Sequence, residues 1–337
     1  MCPKLRVLMS IRFDDELPNP YSKLFVDGLP SFVRPISFRW SRAILGRYDI
    51  FHVHWPEAPI RDPSGLKRLV KCILLLLLLA RCIVLQTPIV RTVHNEAPHE
   101  YGGWIEAQLL RVVNRATGHW IVMNSSTRSP DDRPRYLVPH GHYRSWYKIP
   151  SNPVVRAGSV LFFGEIRPYK NVVGLCRAFM QLPRSNSDLR VMGRPASAEI
   201  EREIRHLVQD AENVRLDLTY VESSDLIAAL AAAHLVVLPY TRFHNSGAAL
   251  LALSVGRPIL VPACQAAREL VDEFGDEYVR LFEGDLTAEV LGSTLRDARV
   301  ENLPKPSMSG RDWRLLGRKV AEIYSAACER SERQVVQ

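Results

Sequence analysis

The stretch FFGEIRPYKN, Phe162 to Asn171, ends an apolar run on Gly164 and then sets Arg167 and Lys170 three residues apart. Two cations this close repel unless an anion lies between them. A diphosphate suits the pair, because a guanidinium takes phosphate oxygens in a bidentate fork and an ammonium acts as a point charge. A solvated loop with ordinary surface charges would show the same residues. A second stretch, PYTRFHNSGAALLALSVGRPIL, places Asn245, Ser246 and Gly247 at the head of an apolar helix. Unpaired N–H groups and the positive end of the helix dipole favour an anion there, although Asn245 or Ser246 would equally serve as a plain N-cap. Together the two loops read as a two-sided clamp for a diphosphate.

Acid–base chemistry concentrates in the first half. HVHWPE ends on Glu57, and TVHNEAPHE supplies His94, Glu96, His99 and Glu100, a dense set of carboxylates and imidazoles. Any one of them alone is as well explained as a cap or a surface residue. IRFDDELPNPYSKLF brings Asp14, Asp15, Asn19 and Tyr21 together before a helix, either as ligand contacts or as a loop with an N-cap near Asn19. His52 and His54, like His140 and His142, are two apart and share a face if extended. Without a third ligand of clear type they predict structural or substrate contacts, and no metal site.

These residues follow short β-branched runs, the place where open α/β sheets bind ligands. RVLMS, DIFHVHW, PIVRTVHN and HWIVMN alternate with helical-period segments, predicting a parallel α/β sheet. Pro139 to Gly158, rich in proline, glycine and polar residues, reads as an interdomain connection. The alternation restarts with SVLFFG, LRVMG, NVRLDLTYV, HLVVLPY and RPILVP. From Arg311 to Arg330 a helical apolar spacing predicts a terminal helix, packed back across the first domain. The expected organisation is residues 1–150, residues 151–310 and a C-terminal helix in 311–337.

Composition supports this class. The 337 residues are 47% hydrophobic and 24% charged, enough for two globular cores, and the net charge of +8 favours anionic partners. No basic patch interleaved with aromatics and no nucleic-acid motif is present, so nucleic acid is not expected. Six scattered cysteines lack zinc or redox spacing and predict a reduced, cytoplasmic chain. MCPKLRVLMS runs into a strand without the features of a signal peptide. Leu66 to Leu85 holds an apolar run, Cys72 to Ala80, too short to span a bilayer. With Lys67, Arg68, Lys71 and Arg81 at its ends, it is either a core helix with snorkelling cations or an interfacial helix on anionic lipid.

The second half resembles the nucleotide-sugar domain of GT-B glycosyltransferases of the family-four-like group, through Gly164 and Lys170 and the helix start near Asn245. The likeness extends over nearly the whole chain. It implies two Rossmann-like domains with parallel sheets facing an interdomain cleft. It also implies a donor diphosphate and sugar held by Gly164, Arg167, Lys170, Asn245, Ser246 and Gly247. Glu165 stands where that group commonly has an arginine, which leaves the role to Arg167. Retaining members carry two glutamates eight residues apart across the helix that precedes the G-x-P turn; the matching segment here, Gly247 to Gly256, has no acidic residue, Phe243 and Leu251 stand where the pair would be, and this points to inversion.

FHVHWPE, TVHNEAPHE, FFGEIRPYKN and NSGAALLALSVGRPIL most resemble bacterial β-1,4-mannosyltransferases that use GDP-mannose and a lipid-diphosphate-linked acceptor. That likeness implies inverting transfer of a hexose, mannose from GDP-mannose, in cell-surface polysaccharide or glycolipid synthesis. The general base is then Glu100, which shares the PHE ending, followed by His99 and Glu57. His94 would contact the donor sugar or a phosphate oxygen, and Asp14, Asp15, Asn19 and Tyr21 the acceptor. The expected partners are a nucleotide sugar, a lipid-linked or glycolipid acceptor and an anionic membrane surface at the inner face of the cytoplasmic membrane. No cofactor and no metal are expected. A retaining transferase using another nucleotide sugar, or a non-catalytic nucleotide-sugar-binding protein, are the competing readings.

Overall fold

A computed structural model describes residues 4–16, 19–95, 102–129, 131–151, 153–183, 187–298 and 303–335, with side chains through residue 329. The chain divides into two compact units, Met1–Gly141 with Gly310–Gln337, and His142–Ser309. In the first unit the order is β1 (Leu5–Met9), α1 (Pro20–Gly28), β2 (Val33–Ile36), α2 (Trp40–Leu45), β3 (Ile50–Val53), α3 (Gly65–Val84), β4 (Ile89–Val93), α4 (Trp104–Ala116), β5 (His119–Val122) and β6 (Arg135–Leu137). The second unit runs β7 (Ser159–Phe163), α5 (Val172–Met180), β8 (Asp188–Met192), α6 (Ala198–Leu207), β9 (Val214–Asp217), α7 (Ser223–Ala232), β10 (Leu235–Val237), α8 (Gly247–Val255), β11 (Ile259–Pro262), α9 (Gln265–Phe274), β12 (Val279–Phe282) and α10 (Ala288–Asp297). The terminal helix α11 (Trp313–Val335) returns to the first unit.

Each unit is one parallel sheet. The first has the order β2-β1-β3-β4-β5-β6 and the second β12-β11-β10-β7-β8-β9. Helices cover parallel strands on both faces, so β3, β7 and β10 are buried throughout and mostly Val, Ile, Leu and Phe, with His52 in β3 and Ser159 in β7 as the polar exceptions. In both sheets the order reverses beside the first strand, at β1/β3 and at β7/β10. Loops leaving such a pair diverge and open a crevice at the carboxyl ends.

Backbones meet directly where α11 crosses α1. A Cβ built on Gly317 falls onto the Gly28 carbonyl oxygen, and one built on Gly28 falls onto the Trp313 carbonyl oxygen. Helix propensity alone favours Gly317→Ala by about 1 kcal/mol, whereas separating two packed helices costs about 1–3 kcal/mol. Overpacking should win, and Gly317→Ala is expected to lower the urea midpoint. A raised midpoint would show that the helices are not in backbone contact.

Candidate active site

The cation loop of the second unit is built by its turns. Gly164 follows β7 directly, and its φ of +106° is a left-handed conformation that side chains resist. A Cβ on neighbouring Gly193, after β8, would fall onto the Gly164 carbonyl oxygen, so the two strand ends approach backbone to backbone. Arg167 precedes a 3-10 turn, Pro168–Lys170, and Asn171, also left-handed at φ +50°, turns the chain into α5. This sequence of turns returns the Lys170 ammonium to Gly164: a Cβ there would lie 3.3 Å from Nζ.

The α8 loop is the adjacent one. The Thr241 N–H donates to the Tyr169 carbonyl at 2.7 Å, joining the loop after β10 to the loop after β7. Lys170 Nζ lies 5.6 Å from the centroid of the Tyr240 ring, and the Tyr240 hydroxyl in turn meets the Ser246 side chain. Tyr240 therefore stands between the two jaws, a residue the sequence reading passes over as the end of an apolar strand. Ser246 Oγ accepts from the Ala249 N–H at 3.1 Å, so the N-cap is made, while the first N–H groups of α8 keep no intrahelical acceptor. Burial pushes the Lys170 ammonium down to about 8, with Glu165 opposing and Arg167 reinforcing the shift. Arg167 is held by Glu165 at 3.0 Å. The residue that replaces the usual arginine thus occupies the remaining one.

In the first unit the strand ends carry a buried aromatic and imidazole cluster. Tyr21, in the first turn of α1, packs its ring 4.8 Å from His94, 5.1 Å from His140 and 5.6 Å from Trp313. Asn19 caps α1, its Oδ1 accepting from the Tyr21 N–H at 2.9 Å. His54 Nδ1 lies 3.3 Å from His94 Nε2, and Trp55 stacks on His94 at 4.0 Å. His52 is fixed between the Tyr324 hydroxyl at 2.6 Å and the Thr92 hydroxyl at 2.8 Å. Burial lowers all of these imidazoles, His54 to about 3 and His140 to about 4, so they stay neutral at neutral pH. Among the described residues no group of three or more His, Cys, Asp or Glu is arranged to hold a metal ion.

A cavity of about 240 Å³ opens beside this cluster, lined by His54, Trp55, Glu57, Arg91, His94 and Asn95 among others. Of the proposed bases, Glu57 is placed here, half-buried, near the Arg91 guanidinium, which burial lowers to about 10 and Glu57 partly restores. Arg91 also lies over the Trp120 ring at 5.5 Å. Its signal in the sequence is a lone charge inside PIVRTVHN. Glu96, His99 and Glu100 lie outside the described residues. Asp14 joins a different group: its carboxylate accepts from Ser37 Oγ at 2.5 Å and pairs with Arg42 at 3.1 Å, and the Ser37 hydrogen bond leads in holding it below the usual carboxylate range. Asp15 is exposed.

Solved structures share this architecture. Anabaena HepE in complex with UDP and glucose superimposes with a TM-score of 0.63 at 14% identity, over 96% of this chain and 100% of that one. Sucrose-phosphate synthase of Thermosynechococcus elongatus gives 0.58 at 14% identity, over 99% of each chain. Residues 157–293, which hold both jaws, match the family described as glycosyl transferases group 1. The fold and this domain define a glycosyltransferase of the GT-B class. The chain is 38% identical to the GDP-mannose:glycolipid 4-beta-D-mannosyltransferase of Xanthomonas campestris pv. campestris, over 96% of its own length and 93% of the relative's. It belongs to the family of that GT-B mannosyltransferase.

Proposed function

We propose that this enzyme transfers mannose from GDP-mannose, with inversion, to a glycolipid or lipid-diphosphate-linked saccharide in cell-surface polysaccharide or glycolipid synthesis, working peripherally at the cytoplasmic face of a membrane. The observation that carries the reading is Lys170, half-buried beside Gly164 and joined through Tyr240 to the start of α8 at the β7/β10 reversal. A cation kept short of water at that point has its charge satisfied by a diphosphate. Lys170, Arg167 and the N–H groups that open α8 at Gly247 would take up the charge of departing GDP without a metal ion.

Phe243 and Leu251, the positions of the glutamate pair in retaining relatives, are buried apolar side chains, and this supports inversion. The acceptor hydroxyl then loses its proton to a carboxylate of the first unit as its oxygen attacks the anomeric carbon. The bond from that carbon to the diphosphate oxygen breaks, and GDP leaves from the opposite face. Glu100 is the proposed base on the family resemblance, with His99 and Glu57 next.

Turnover of GDP-mannose with a glycolipid acceptor, persisting in EDTA and giving a β-mannoside by NMR, is the expected result. An α-linked product, or turnover of UDP-sugars alone, would overturn the reading. Glu100→Gln is expected to lower kcat by about 10²–10⁴-fold with donor binding unchanged. If it turns over normally and Glu57→Gln does not, the base is Glu57, inside the described cavity.

A further inference from the structure

The turn that carries Arg167 and Lys170 also carries an acid, and the backbone fixes where it stands. Ile166 is 1% exposed. Its N–H donates to the Arg194 carbonyl at 2.9 Å and its carbonyl accepts from the Ala196 N–H at 2.8 Å, a parallel bridge that continues the line of β7 beyond Gly164. Arg167 is still extended, at φ −113° and ψ 157°. Alternate side chains of an extended segment share a face, so with Ile166 turned into the core, Glu165 and Arg167 project together on the other side. Their 3.0 Å ion pair follows from that register.

The two partners are unequally held. The Glu165 side chain is 52% exposed and that of Arg167 24%. The carboxylate can swing into water at small cost while the guanidinium stays against the protein, and an ion pair this open to solvent is weak. Bidentate, charge-assisted contact with a phosphate is stronger. A diphosphate that spans Arg167 and Lys170 therefore displaces Glu165. The product gives this exchange its use: when the bond from the anomeric carbon to the diphosphate breaks, the oxygen keeps the electron pair, and GDP carries one negative charge more than it did within GDP-mannose. A purely cationic loop would hold that product more tightly than the donor. A carboxylate within reach of the same guanidinium counteracts the trap.

We propose that Glu165 is a built-in competitor of the donor diphosphate: it holds Arg167 until the donor displaces it, and it takes Arg167 back as GDP leaves. The proposal rests on the reading of this loop as a diphosphate clamp. Glu165 is then a positioning residue, acting through Arg167. It bears on Lys170 as well, because its charge favours the ammonium that burial and Arg167 disfavour. From the loop after β10 the group facing that ammonium is Tyr240, and burial pushes its hydroxyl up, as it does that of Tyr169 beside Glu165 and Arg167, so both phenols stay neutral.

The test is calorimetric titration of the full chain with GDP and with GDP-mannose at pH 7. Glu165→Gln is expected to bind GDP about three- to tenfold more tightly, with a smaller gain for GDP-mannose and stronger product inhibition by GDP. Most of the gain should vanish when the same change is made in Arg167→Ala. The alkaline limb of donor kcat/KM should move to lower pH in Glu165→Gln, because Lys170 loses the charge that sustains it; a carboxylate that only packed the loop would leave that limb in place. GDP affinity unchanged or weakened in Glu165→Gln, while Lys170→Ala loses donor binding, would overturn the proposal and leave the clamp standing. An equal gain with and without Arg167 would also overturn it, since Glu165 would then act by its field alone. If neither Glu165→Gln nor Lys170→Ala alters the binding of GDP or GDP-mannose, the clamp falls and the competitor with it.

Discussion

Lys170→Ala is expected to lower kcat/KM for GDP-mannose by roughly 10²–10³-fold and to leave the KM for the acceptor near wild type. The size follows from position: the ammonium sits beside the left-handed Gly164 and over Tyr240, where water is scarce and a charge contact is strong. Arg167→Ala should cost less, because binding a phosphate through Arg167 first requires breaking its 3.0 Å pair with Glu165. The lysine also sets a pH limit. With its value lowered to about 8, the free enzyme loses this charge as pH rises through that point, so donor kcat/KM should fall on the alkaline side. Lys170→Arg should remove that limb, since a guanidinium stays charged there. Thermal denaturation separates function from folding: a half-buried ammonium is costly to the folded state, so Lys170→Ala should melt no lower than wild type. Equal donor affinity in Lys170→Ala would remove the diphosphate clamp.

How far this site is legible in the sequence depends on how local each feature is. Gly164, Lys170 and the Ser246 cap are decided within a few residues, by a strand end, a turn and a helix start, and the quoted stretches contain all three. Tyr240 is not readable in this way. Its role arises because β10 lies beside β7, and no neighbour of Tyr240 in the chain reports that pairing. Tyr21 is similar: the spacing announces a loop residue before a helix, yet Trp313, from the far end of the chain, closes over its ring. Strands with apolar runs stand out, whereas β2 and β6 do not. Both are edge strands, which need no continuous apolar sequence, and Pro35 is tolerated where no ladder must be completed on the outer side. The Leu66 to Leu85 segment shows its composition at once but not its orientation. Only the sheet decides which stripe is covered.

Lowering the pH from 7 to 5 is expected to destabilise the first unit far more than the second. His52, His54, His94 and His140 are buried and neutral: desolvation leads each shift, and the charges of Arg91 beside His94 and Arg311 beside His140 lower those two further. For these bases the folded value lies below the unfolded one. The unfolded chain therefore binds more protons below about 6.5, and stability falls as pH drops through that value until the folded groups themselves titrate, His140 at about 4 and His54 at about 3. Integrated down to pH 5, four such groups set an upper bound of roughly 8 kcal/mol, comparable to the whole stability of an ordinary domain. Carboxylates held low, such as Asp14 and Asp49, act in the same direction only at more acid pH. The range from 7 to 5 thus isolates the imidazoles. Tryptophan emission follows the transition, because Trp40, Trp55, Trp104, Trp120 and Trp313 all lie in the first unit and Trp146 alone in the second. His52→Gln can keep hydrogen bonds to Tyr324 and Thr92 while removing one titrating group, and should reduce the pH slope of the urea-derived stability by about 1.4 kcal/mol per pH unit. A stability that is flat between pH 7 and 5, or a slope unchanged by His52→Gln, would show that the imidazole cluster is open to protons in the folded state.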